Sequence, residues 1–154
     1  MPADLLDRPY VGRFVDGAHR FAVRVYYEDT DAGGVVYHAN YLRFFERARS
    51  DMLALAGADI AAALTADEGG YVVAAAEMAY RAPARLGDAL MVVSRLERVR
   101  TAACVIQQTV MRDDQLIAEG RLTVAWVGPD GRPRRQPKQW IHAFQGVQGS
   151  RTDA

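Results

Sequence analysis

One cysteine, Cys104, stands in a chain of 154 residues. No intramolecular disulfide can form, so packing has to hold the fold. The cysteine sits in an apolar, strand-like run and reads as a small buried hydrophobe rather than a nucleophile. The chain also lacks an excess of charge: 19 Lys and Arg balance 19 Asp and Glu. A neutral chain carries no electrostatic footprint for a polyanion, so nucleic acid is not an expected partner. Apolar runs such as Val72–Ala76 and Ala89–Val93 are far below the roughly 20 residues that span a bilayer. Met1–Phe21 is interrupted by Asp4, Asp7, Arg8, Arg13 and Asp16 and has no apolar stretch of the kind a secretion signal needs. A soluble cytoplasmic protein is the expectation. Three chemistries are missing as well. There is no Gly-x-Ser-x-Gly elbow, no His/Cys/Asp cluster at metal spacing, and no Lys-Ser/Thr after the pair Gly33-Gly34. Neither a metal nor an organic cofactor is expected.

What the chain does have is apolar mass, 50% of its residues, enough for the core of one domain. Residues 21–128 are expected to form that domain. Residues 1–20 read as an N-terminal tail, and 129–154 as a C-terminal tail with a short helix over Gln139–Gln145. Phe21–Tyr27 alternates as a strand does, with Phe21, Val23, Val25 and Tyr27 on one face. Tyr41, Phe44, Phe45, Ala48, Met52, Leu55 and Ala56 recur at helical spacing and predict a helix over Asn40–Ala56, stopped at Gly57. Four strands are predicted next, over Tyr71–Ala82, Asp88–Val99, Ala102–Arg112 and Leu116–Val127, separated by short turns. One strand, one long helix and four consecutive strands make an α+β domain: an antiparallel five-stranded sheet curved around a single helix. One helix covers one face of such a sheet, and an open edge strand invites pairing, so a homodimer or homotetramer is expected.

The segment from Tyr26 to Tyr41 is unusual for a plain connection. It holds three carboxylates (Glu28, Asp29, Asp31), two glycines and His38, and it ends at a helix N-terminus. The first turn of a helix offers free N–H groups and a partial positive charge, which would polarise an acyl carbonyl and stabilise its oxyanion. A carboxylate held opposite can attack that carbonyl or activate a water. Both halves of acyl transfer are present in one loop.

The run Asp29-Thr30-Asp31-Ala32-Gly33-Gly34-Val35-Val36-Tyr37-His38-Ala39-Asn40-Tyr41 resembles the signature of the 4-hydroxybenzoyl-CoA thioesterase group of hotdog proteins. It is most similar there to the acyl-CoA thioesterases associated with the Tol-Pal system of Gram-negative bacteria. Phe45-Glu46-Arg47-Ala48-Arg49 and Tyr80-Arg81-Ala82-Pro83-Ala84-Arg85-Leu86-Gly87-Asp88 continue the likeness, which extends over about residues 20–127. The resemblance implies a hotdog fold, with the sheet wrapped around the long helix, and hydrolysis of an acyl-CoA to free acid and CoA. Coenzyme A would then enter as part of the substrate. It puts the catalytic aspartate at Asp31, the close-approach glycine at Gly34 and the oxyanion-binding N–H at His38. It also raises an association with an envelope system.

Other residues carry weaker assignments. Glu46, on the helix, is the runner-up base, set against an ion pair with Arg49, Arg43 or Arg47. Asp29 and Glu28 read as solvated or turn-forming. Tyr37 and Tyr41 are candidates for the acyl pocket. Arg81 and Arg85 are candidates for substrate phosphates, ahead of the basic run Arg132, Arg134, Arg135 and Lys138. The competing functions are a hotdog dehydratase acting on an acyl thioester and a non-catalytic acyl-CoA-binding or envelope scaffold protein.

Overall fold

The computed structural model describes residues 6–148. Its elements, in chain order, are β1 (Arg13–Val15), β2 (Ala18–Arg24), α1 (Asn40–Leu55), α2 (Ile60–Thr65), β3 (Gly70–Tyr80), β4 (Ala89–Val99), β5 (Ala103–Arg112), β6 (Gln115–Val127) and α3 (Lys138–Val147). The strands form one antiparallel sheet in the order β1-β2-β4-β5-β6-β3. The sheet curves around α1, as expected of a hotdog protein.

Burial of one helical face drives this arrangement. Tyr41, Phe44, Phe45, Ala48, Met52 and Leu53 all lie at 4% exposure or less. The first half of that face packs with Val25, Val36, Leu90, Val92, Val110 and Leu122. The second half packs with Leu96, Ile106, Val124 and Trp126. Each large side chain so buried contributes about 1.5–3 kcal/mol. The polar cluster under the helix is hydrogen-bonded. The Gln108 amide donates to the Phe45 carbonyl and to Ser94 Oγ, each at 2.9 Å, and its oxygen accepts from Arg49 Nη1 at 3.2 Å. Burial holds the Arg49 guanidinium below its ordinary pKa.

Four expectations need correction. The sheet has six strands among the described residues, because Arg13–Val15 folds back on β2. The supposed N-terminal tail is therefore structured from residue 13. It is further tied down by His19, whose Nε2 lies 2.6 Å from Asp51 Oδ2, while the Gly12 N–H donates to the same oxygen at 2.9 Å. The loop before β3 contains α2. The C-terminal segment is not a tail: Trp140 and Phe144, one turn apart on α3, are buried in the second half of the core. Gln136 is fully buried there, and its amide donates to the carbonyls of Arg100 (2.8 Å) and Ala103 (3.3 Å). The portions of both expected tails at Met1–Leu5 and Gly149–Ala154 lie outside the described residues.

Phe45 of the helix packs directly over Gly120 of β6. A Cβ there would meet Phe45 Cε2 and Met78 Sδ at 2.7 Å, and the Glu77 carbonyl oxygen at 3.2 Å. Overpacking of this kind typically costs about 1–3 kcal/mol. Gly120→Val is expected to lower stability by that amount in urea unfolding, with the m-value unchanged. A midpoint equal to wild type would show that the helix can shift to make room.

Candidate functional site

The site is built where β2 hands over to α1. Val25 ends the strand run fully buried, and the chain then makes a 3₁₀ turn over Tyr27–Asp29. Beyond it a tight excursion turns back on itself. Thr30 pairs with Val36, the Asp31 N–H donates to the Val35 carbonyl at 2.9 Å, and the Gly34 N–H donates to the Asp31 carbonyl at 3.0 Å. The Pro83–Asp88 loop braces it from outside. Val36 N–H donates to the Ala84 carbonyl at 2.8 Å, and Val35 pairs with Arg85. That loop is itself closed by Asp88, whose Oδ2 accepts from the Arg85 N–H (2.8 Å) and from Arg112 Nη1 (2.7 Å). Those donors hold the Asp88 carboxyl below the usual carboxylate range.

Asp31 stands exposed at the tip of the excursion. One carboxylate oxygen, Oδ1, accepts the Gly33 N–H at 2.8 Å; the other has no hydrogen-bond partner among the described residues. At the far side, the chain enters α1 through Tyr37, His38 and Ala39. The His38 N–H has no acceptor among the described residues, whereas its carbonyl accepts from the Tyr80 hydroxyl at 3.1 Å. The His38 ring is exposed and lies 4.6 Å, centroid to centroid, from Tyr37 and 6.2 Å from Tyr80. An acceptor-free N–H beside the positive end of a helix suits a developing negative charge.

Of the residues expected to act, the structure gathers His38, Tyr41 and Arg81 in one cleft of about 320 Å³, together with Val35, Tyr80 and Pro83. Tyr41 is 4% exposed, and burial pushes its hydroxyl pKa up, so it stays a neutral phenol. Tyr37 is half exposed. Arg81 is exposed and pairs with Glu119 at 3.0 Å. Arg85 braces the Asp31 excursion through its backbone and is not a wall of the cleft. Glu46 lies elsewhere, in a groove on the outer side of α1 with Arg43, Arg47 and Asp51. It makes no ion pair within 4.0 Å among the described residues, and Arg49, its supposed partner, is buried on Gln108 instead.

Asp29 fits one of the two readings that the sequence offered and not the other. It is turn-forming but not solvated: it is 5% exposed and hydrogen-bonded through both carboxylate oxygens. The signal available was its place three residues after Tyr26 and eleven before Asn40, between two elements that have to meet.

The model of the thioesterase-like superfamily matches residues 25–145 of this chain. The chain belongs to that superfamily. The acyl-CoA thioesterase YbgC of Haemophilus influenzae is 41% identical over 131 residues, covering 84% of this chain and 96% of the relative. The acyl-CoA thioester hydrolase YbgC of Escherichia coli O6:H1 is 41% identical over 128 residues, covering 82% and 95%. Among solved structures, a probable thioesterase from Bartonella henselae is 33% identical, with a TM-score of 0.70 over 78% of this chain and 98% of that one. Among the described residues of this superfamily member, no group of three His, Cys, Asp or Glu is arranged to hold a metal ion. No described helix is long and apolar enough to cross a membrane.

Gly34 has φ +76°, a region that costs most residues about 1–2 kcal/mol, and open space where a Cβ would go. Within the chain itself, the demand for glycine at this position is conformational. Gly33 is the crowded one: a Cβ would lie 3.2 Å from Asp31 Oδ1. Gly34→Ala is expected to reduce turnover, and Gly34→Asn to retain more of it, because asparagine tolerates left-handed backbone. Gly33→Ala is expected to reduce turnover too, by displacing the carboxylate. Steady-state rates of the three variants check this; an Asn variant no better than Ala would remove the conformational explanation.

Proposed function

We propose that this protein is an acyl-CoA thioesterase that cleaves its substrate between the Asp31 carboxylate and the His38 N–H. The observation that carries the reading is that one short excursion holds, among the described residues, a partner-free carboxylate oxygen at its tip and an acceptor-free N–H where it enters the helix. The family and the relatives above support the reaction class. In this reading the thioester carbonyl oxygen accepts the His38 N–H. A backbone donor placed for an oxyanion is worth about 3 kcal/mol of transition-state stabilisation. Asp31 either attacks the carbonyl carbon, giving a mixed anhydride that water then hydrolyses, or takes a proton from the water that attacks. Both routes break the C–S bond and release the CoA thiol and the free acid. The apolar rings of Tyr41 and Tyr80 line the cleft beside the carbonyl position, and Arg81 at its rim is a candidate for substrate phosphates.

A second copy of the chain completes the assembly in this reading. The two ends of the sheet differ. At one end β1 is three residues long, a blunt edge; at the other, β3 presents eleven residues and pairs only with β6. Val72 is 46% and Val73 50% exposed along it. A long apolar edge is unstable in isolation, and pairing with a second β3 would cover it. Light scattering at micromolar concentration is expected to give a dimer or a tetramer; a stable monomer would refute this.

The activity test is release of CoA thiol from acetyl-, butyryl-, octanoyl-, palmitoyl- and benzoyl-CoA. Asp31→Asn is expected to lower kcat at least about a hundredfold on the best of them, with an unchanged melting temperature. Near-wild-type turnover by a folded Asp31→Asn enzyme defeats the assignment. Loss of turnover confined to Glu46→Gln would transfer it to the helix.

A further inference from the structure

We infer that Asp29 is a positioning residue for this reaction, and that its clamp on Asn40 sets the separation of the Asp31 carboxylate from the His38 N–H. The inference rests on the reading just given.

The geometry is a closed loop with Asp29 at its base. Asp29 Oδ2 accepts the Tyr26 N–H at 2.8 Å, where the β2 run ends. Its Oδ1 accepts Asn40 Nδ2 at 3.0 Å, at the first residue of α1. Its carbonyl accepts the Tyr37 N–H at 3.0 Å, on the residue immediately before His38. Everything between these ties, including Asp31, is an excursion. Asp31 is two residues beyond Asp29 itself, and His38 lies between the ties at Tyr37 and Asn40. Any slackening at Asp29 therefore moves the two reacting groups relative to each other.

The choice of residue types agrees with this. Asp29 and Asn40 are 5% and 6% exposed, so water does not satisfy them. Among the described residues no cation lies within ion-pair distance of Asp29. Its charge is balanced by a backbone N–H, an amide and the N-terminal end of α1. Such a carboxylate is worth burying only where its position matters, because both oxygens need donors in fixed directions. Catalysis supplies the reason: a displacement of about 1 Å between reacting groups can cost on the order of a hundredfold in rate.

The test exchanges the two side chains. In Asp29→Asn the carboxylate is lost, and the tie re-forms only if the Asn40 amide turns over to offer its oxygen to the new NH₂. In Asn40→Asp, two carboxylates face each other. In the double variant Asp29→Asn/Asn40→Asp, the new amide oxygen accepts from Tyr26 and the new NH₂ donates to the carboxylate at position 40. Net charge and hydrogen-bond count are restored. On the best acyl-CoA of the panel, each single variant is expected to lower kcat about ten- to a hundredfold, with KM changed by less than about threefold. The double variant is expected to return to within about fivefold of wild type. Melting temperatures are recorded for all three, and rates are taken well below them. Wild-type kcat in the folded single variants overturns the proposal. So does a folded double variant no faster than the singles, or a loss of rate that matches only the fraction unfolded. If a single variant does not fold, the double variant against wild type still decides. Asp31→Asn runs in parallel: if it keeps wild-type turnover, the reading of Asp31 fails. If it is inactive while Asp29→Asn is not, the positioning role alone fails.

Discussion

The face of α1 that carries Tyr41, Phe44, Phe45, Ala48 and Met52 has to leave water, and the concave side of the sheet takes it. Everything else about the molecule follows from seating that helix. β6 gives up a side chain at Gly120 so that Phe45 can approach. Gln108 turns inward to meet the Phe45 carbonyl and the Arg49 guanidinium, and Ser94 Oγ accepts from the same amide. Once the helix is fixed, its first turn points at a defined place on the rim, and the chain arriving from β2 must reach it in fifteen residues.

That short connection explains why the site is made of loops but is not loose. The Asp31 excursion is tied at its base by Asp29, along its length by the Thr30–Val36 pair, and from outside by the Pro83–Asp88 loop, which Asp88 and Arg112 in turn hold in shape. Reacting groups on such a loop stay where a rigid element would put them, yet remain open to solvent on one side. Arg81 at the cleft rim belongs to the same turn region, which follows β3. The strand that offers the sheet's long free edge therefore runs straight into the proposed substrate cleft, through Tyr80.

Long periodic elements were legible in the sequence. The helix predicted at Asn40–Ala56 is found at Asn40–Leu55, and the later strands deviate by one or two residues at their ends. Seven apolar residues at helical spacing, or ten alternating ones, leave little room for another reading. What the sequence did not reveal are contacts between residues far apart. The part-buried pair His19–Asp51 and the buried pair Arg49–Gln108, 32 and 59 positions apart, each join side chains that look solvated when read alone. Phe144 and Trp140 looked like tail residues because nothing local says what covers them. One miss had a local signal. Asp16-Gly17, with φ of 51° and 77°, is a two-residue hairpin turn, and it marked the β1–β2 pair inside the supposed tail. In the site, the excursion and the helix entry were readable from residue type, whereas the clamp that sets their spacing needed coordinates.

Cys104 lies at the opposite end of the core from the cleft. It is fully buried, with its Sγ 3.3 Å from Gln136 Oε1, and burial pushes its thiol pKa up to about 11. The thiol is thus held in its protonated form and sealed from solvent. The native protein is therefore expected to stay silent toward the disulfide reagents used to count released coenzyme A, so that turnover is read without background from the protein itself. The same thiol becomes reactive when the core opens. A single colorimetric reagent thus serves as two instruments on this chain: with substrate it is a clock for the reaction, and without substrate it is a gauge of how often the molecule unfolds.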